Sequence, residues 1–152
     1  MKTVIYPLLI LIFIPCLFLA LMSATARVPK TGLGAGKLRA CPDSPNCVVS
    51  ENANAKSQIK PLAFDSEATV AWLALQRVIE QSGGKVQQEQ NGYLWATFTS
   101  RVFRFVDDVE FRLDITNKMI QLRSASRTGY SDFGVNRKRI ERLRAAFAEV
   151  LK

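Results

Sequence analysis

Residues 103–127 read FRFVDDVEFRLDITNKMIQLRSASR, and the alternation in this stretch decides the fold. From Phe103 to Ile115 the odd positions are Phe103, Phe105, Asp107, Val109, Phe111, Leu113 and Ile115; the even ones are Arg104, Val106, Asp108, Glu110, Arg112 and Asp114. Strand side chains point alternately to two faces, so this is a strand with one buried and one polar face. Thr116, Asn117, Lys118 and Met119 lead into a partner strand, Ile120 to Arg127, apolar at Ile120 and Leu122. Matching apolar to apolar pairs Ile115 with Ile120, Leu113 with Leu122, Phe111 with Ser124 and Val109 with Ser126. On the outer face this register sets Arg127 opposite Asp108 and Arg112 against Arg123, with Glu110 and Asp114 as diagonal partners.

A second hairpin precedes it. Residues 85–90 and 93–100 flank Asn91-Gly92, the strongest short hairpin signal, and the second arm has the β-prone composition YLWATFT. A helix is expected over 66–82, with Asp65 or Ser66 as N-cap and Gly83-Gly84 as the stop. Its stripe is Ala68, Ala71, Trp72, Leu75, Val78 and Ile79. A last helix is expected over 136–151, with Ile140, Leu143, Ala146, Phe147, Val150 and Leu151 facing inward. The order helix, hairpin, hairpin, helix predicts a two-layer α+β fold: an antiparallel sheet of about four strands in two hairpins, with two helices on one face.

The remaining third of the chain is different. Residues 4–22 read VIYPLLILIFIPCLFLALM, behind a lone Lys2 and before Ser23-Ala24-Thr25-Ala26. This is a signal peptide ending at Ala26 or an uncleaved membrane anchor. The cations Arg27, Lys30, Lys37 and Arg39 that follow the stretch oppose a simple orientation with the start inside. Either way the destination is the envelope, periplasmic or held at the inner membrane. Residues 27–60 lack a sustained period and read as an extended arm, leaving 61–152 as the core domain. Cys41 and Cys47, in CPDSPNC, are expected to form a disulfide that staples a local turn. The stretch TGLGAGKLR is not a phosphate loop: Thr31 replaces the first glycine and Leu38 the Ser or Thr after the lysine.

Two local rules are broken. Asp107 is the only charge among the inward positions of its strand, and the partner strand offers Ser124 and Ser126 there, so a buried carboxylate needs partners. A bulge at Asp107-Asp108 would instead turn Asp108 inward. Arg137, Lys138 and Arg139 crowd the first turn of the last helix, the end whose dipole favours negative charge. Asp132, Asp107 and Asp108 are the acids that would compensate them. Alternatively, Asn136, the helix N–H groups and the arginines beside Ser126 and Arg127 would cradle a small anion.

Composition limits the chemistry. The 152 residues include no histidine, which removes Ser-His-Asp and Cys-His catalysis, His-containing metal sites and histidine pH switches. The sequence calls for no metal and no cofactor. A catalytic alternative is a carboxylate-based hydrolase of an envelope ester or glycan, pairing Asp107 with Asp108 or Glu110, while Arg127 and Arg137 stabilise charge. The formal net charge of +8 suits an anionic envelope surface. Nucleic acid is not an expected partner, given the export signal and the acids interleaved with the cations.

Three motifs in order, CPDSPNCVVS, FRFVDDVEF and IQLRSASRTGYSDFGVNRKRIERL, resemble the bacterial and plastid family known as domain of unknown function 1499, over about residues 38–150. Val49 stands where the family pattern has serine. The resemblance implies an exported or membrane-linked protein and no particular activity. It also implies that Asp107, Asp108, Ser124, Ser126, Arg127, Asp132, Asn136, Arg137 and Arg139 form one constellation. The reading that follows is a non-enzymatic envelope module, structural or binding a small anion.

Overall fold

In the computed structural model, the backbone is described for residues 2–152 and the side chains for residue 11 and residues 13–152. Three helices and six strands follow one another among them: α1 (Lys2–Ala24), β1 (Cys47–Val49), β2 (Leu62–Ala63), α2 (Ala68–Gln81), β3 (Lys85–Gln90), β4 (Tyr93–Thr99), β5 (Val106–Asp114), β6 (Met119–Ser126) and α3 (Val135–Val150). The fold is α+β with an antiparallel sheet, as expected, but with two more strands and one more helix. The sheet order is β1-β6-β5-β4-β3, and β2 also pairs with β6, so β1 and β2 share the far edge of β6.

Local chemistry accounts for the turns. Asn91 and Gly92 both lie at positive φ, 52° and 73°, as the two-residue turn between twisted strands requires. The β5–β6 loop closes one step earlier than apolar matching suggests. Asp114 accepts hydrogen bonds from the backbone N–H and the side-chain amide of Asn117, at 3.2 and 3.0 Å, and these bonds hold its carboxyl below the usual range. The register therefore shifts by two residues: Leu113 pairs with Ile120, Phe111 with Leu122, Val109 with Ser124 and Asp107 with Ser126. A two-residue shift keeps every side chain on its face. What it corrects is the list of neighbours. Ile115 becomes exposed loop, and Glu110, not Arg112, lies opposite Arg123. There is no bulge in β5. The strand also begins later than expected, because Arg104 sits at φ 59° and a turn at residues 101–103 is closed by bonds between Ser100 and Phe105.

Both later helices pack on the odd-numbered face of β5. Trp72, Leu75, Val78 and Ile79 of α2 and Ile140, Leu143 and Phe147 of α3 close over Val109, Phe111, Ile120 and Leu122. The N-cap of α2 is Glu67, which makes no side-chain cap bond, so Asp65 and Ser66 do not serve as caps. At Gly84 the chain leaves α2 so closely that a Cβ would lie 2.6 Å from Ile79 Cγ2 and from Phe98 Cζ. Val150 is 38% exposed, off the stripe.

The even-numbered face is not open to solvent. The arm of residues 27–60 folds over it, joined by the Cys41–Cys47 disulfide, and places Leu38 and Val49 against Tyr93 and Trp95. β1 serves both faces: Val48 joins the helix-side core and Val49 the arm side. The arm thus supplies one of the two extra strands, β1, and the sheet's second cover, while the other, β2, is only two residues long and shows no period of its own.

α1 runs through the stretch read as signal or anchor, part of which lies outside the described side chains. Among the described residues no helix is long and apolar enough to cross a membrane.

Candidate functional site: a polar lock across both faces of the sheet

The constellation splits in two. Asp107, Ser124 and Ser126 sit on the odd, helix-side face, and α3 brings Asn136 and Arg139 down onto them. Asn136 is fully buried and is the hub. Its Oδ1 accepts from Ser124 Oγ at 2.5 Å and from Arg139 Nη1 at 2.7 Å. Its Nδ2 donates to Ser126 Oγ and to the carbonyl of Asn46, both at 2.9 Å. Arg139 pairs through Nη2 with Asp107 and lies 5.1 Å over the Phe98 ring. Every donor and acceptor of the amide is thereby used, the condition for burying it at no net cost. Asn136 ties three separate pieces together: the arm, the β6 end and α3.

On the other face, Asp108 is fully buried and accepts from Arg127 Nε and Nη2, both at 2.8 Å, and from Trp95 Nε1 at 2.8 Å. The bidentate fork raises the Arg127 pKa further above its ordinary value, against the opposing effect of burial. Two further pairs continue this layer, and in the first the acid lies directly opposite its arginine, not diagonal to it. Glu110, also fully buried, accepts from Arg123 Nη1 at 2.8 Å, Tyr93 Oη at 2.7 Å and the Gly32 N–H at 2.8 Å. Glu51 from the arm holds Arg112 at 2.7 Å and accepts the Leu38 N–H at 3.0 Å, and this raises the Arg112 pKa. Arg112 and Arg123, opposed in the sequence-derived register, each have a carboxylate of their own. Burial, then the hydrogen bond to Glu110 and its charge, push the Tyr93 phenol well above its usual range.

The head of α3 has its own anion. Asp132 accepts the N–H groups of Gly134 at 2.9 Å and Asn136 at 2.7 Å. The amides expected to cradle a ligand are thus already capped. Arg137 turns away from the cluster and donates to the carbonyls of Lys56 and Gln58 at 3.2 and 3.0 Å. Of the acids expected to compensate the first-turn cations, Asp107 does so by pairing with Arg139, Asp132 instead takes backbone N–H groups at the helix head, and Asp108 serves Arg127 across the sheet.

The cluster's charge balance leaves little loose chemistry. Asp107 and either Asp108 or Glu110 stand on opposite faces, so the acid pair required by the hydrolase reading does not converge. Among the described residues, no three His, Cys, Asp or Glu side chains gather to hold a metal ion. The buried side-chain polar atoms lacking a partner among those residues are Arg123 Nε and Thr128 Oγ1. Sequence reasoning named Glu110 and Arg123 only as diagonal neighbours, and missed Tyr93 and Trp95 as lock residues. Their signal was present in the register: Glu110 and Arg123 lie directly opposite, and Tyr93 and Trp95 share a strand face.

Comparison with known proteins gives one match. A family model described as "Protein of unknown function (DUF1499)" matches residues 37–147. No curated protein and no solved structure matches the chain.

Proposed function

Because the chain belongs to the DUF1499 family, whose description carries no activity to transfer, we propose from its geometry that it is a non-enzymatic module of the cell envelope. Residues 4–22 direct its export and hold it at the membrane. Its motif residues lock arm, sheet and α3 into one rigid body that presents the loop before α3. The observation that carries this reading is the pairing of every lock carboxylate with an arginine: Asp107 with Arg139, Asp108 with Arg127 and Glu110 with Arg123. A general acid or base must exchange protons with a substrate, and carboxylates held this way on opposite faces are poorly placed to do so. At the head of α3, where backbone N–H groups would draw a small anion, Asp132 already accepts from Gly134 and Asn136. Retention of α1 as an anchor is supported by Leu19 and Met22, which line a cleft of the folded body.

The test compares the full-length chain, reconstituted in phospholipid nanodiscs, with its Asp107→Asn variant. Both are assayed for turnover of ester and glycan substrates and for thermal stability. The expected result is no turnover by either and a lower melting temperature for the variant. Turnover by the wild type that Asp107→Asn abolishes without lowering the melting temperature establishes the hydrolase instead.

A further inference from the structure

A cleft of about 340 Å³ opens beside the lock, between the loop that follows β6, the start of β5 and the last turns of α1. Its floor is polar and its walls are apolar. Asp107, Ser126 and Thr128 form the floor; Phe105, Val106, Phe133 and Val135 contribute walls, with Leu19 and Met22 on the α1 side. The volume lies within the roughly 300–1,000 Å³ of small-molecule sites, and an apolar lining around a few convergent polar groups is their usual chemistry.

Three features of this cleft leave room for a ligand. Thr128 Oγ1 is buried and has no hydrogen-bond partner among the described residues. Asp107 commits Oδ2 to Arg139, while Oδ1 accepts no hydrogen bond among the same residues. Phe133 exposes 90% of its surface and is held at φ 54°, in the left-handed region that a bulky side chain avoids. A strained backbone that presents an aromatic ring to the outside is a mark of a binding element.

The floor selects the ligand's polar end. Asp107 Oδ1 accepts, Thr128 can accept or donate, and Ser126 Oγ, already accepting from Asn136, retains its own proton to donate. A carboxylate or phosphate would meet a carboxylate oxygen. An ammonium would gain little from an Asp107 already neutralised by Arg139, or from the other carboxylate of the lining, Asp132, whose two oxygens are held by the N–H groups of Gly134 and Asn136. A hydroxyl satisfies both requirements, donating to Asp107 and accepting from Thr128. We propose that the cleft binds an uncharged amphiphile, a long-chain alcohol, with its hydroxyl on Asp107 and Thr128 and its chain between Phe105, Phe133 and Val135. This goes beyond the envelope-module reading and does not depend on the absence of turnover.

The experiment uses the full-length chain in phosphatidylcholine nanodiscs, with photoreactive dodecanol and photoreactive dodecanoate as probes and mass spectrometry to locate the label. Both probes enter the bilayer and label α1, which serves as the internal reference. Dodecanol is expected to label residues 127–135 about ten-fold more than dodecanoate, the factor that one unmatched hydrogen bond confers. Thr128→Val is expected to cut that labelling about ten-fold while the melting temperature holds or rises, because the variant removes a buried unpaired hydroxyl. Phe133→Ser is expected to reduce it as well. Equal labelling by acid and alcohol, labelling that survives Thr128→Val, or label confined to α1 overturns the proposal.

Discussion

Arg127 illustrates how much depends on single side chains. Asp108 is fully buried, and two of its three hydrogen-bond donors belong to this one guanidinium. Such a pair adds little net stability over apolar residues, yet removing one partner strands the other charge. Arg127→Ala is therefore expected to lose about 3–5 kcal/mol of unfolding free energy, read from urea titration, and Arg127→Lys, which cannot form the fork, is expected to fall between the two. Tyr93 offers a pH readout of the same layer. Its folded pKa is raised above the ordinary 10.0. The unfolded chain thus ionises first, and stability is full below that value and falls as pH rises past it. Thermal melts taken above about pH 10 are expected to show this decline, and Tyr93→Phe to flatten it. At this scale the sequence spoke clearly only where a residue broke its own pattern. Asp107 and the cations before Ile140 stood out; Glu110, an acid at an ordinary even position, was visible only as a charge partner and not as a buried one, because only the arm buries its position.

Among the elements, the local ones were legible and the long-range ones were not. The Asn91-Gly92 hairpin and the stripes of α2 and α3 follow from spacing, because their partners lie within a few residues. The β5–β6 register missed by two because Asp114 grips Asn117, a side-chain bond that apolar matching ignores. β1 was invisible because three residues carry no period, and its partner in β6 lies more than seventy positions away. The disulfide, in contrast, was legible from composition alone and forms as expected. It closes a short loop, so the double variant Cys41→Ser/Cys47→Ser is expected to cost about 2 kcal/mol. Hydrogen exchange is expected to show that loss as faster exchange of the β1 amides and of the Ser126 N–H, which donates to the Asn46 carbonyl.

For the whole molecule, the arm is the decisive piece. It covers three buried ionic groups, Asp108, Glu110 and Arg123, that would otherwise lie on an open sheet face. A chain beginning at residue 61 also lacks Val48, Val49 and Ile59 from the two cores. Such a truncation is expected to show no cooperative melt in calorimetry, whereas a chain beginning at Arg27 is expected to melt as one unit.

The sheet's two edges have unequal fates. One side of β6 is sealed by β1 and β2, so its backbone groups are already spoken for. The other border is β3, whose sequence KVQQEQ is almost entirely exposed and whose pairing is interrupted between Val86 and Gln88. A charged, polar and irregular border is a poor template for a neighbouring chain. Copies at high concentration are therefore expected not to join their sheets edge to edge into fibrils. That resistance rests on the strand whose pairing is interrupted.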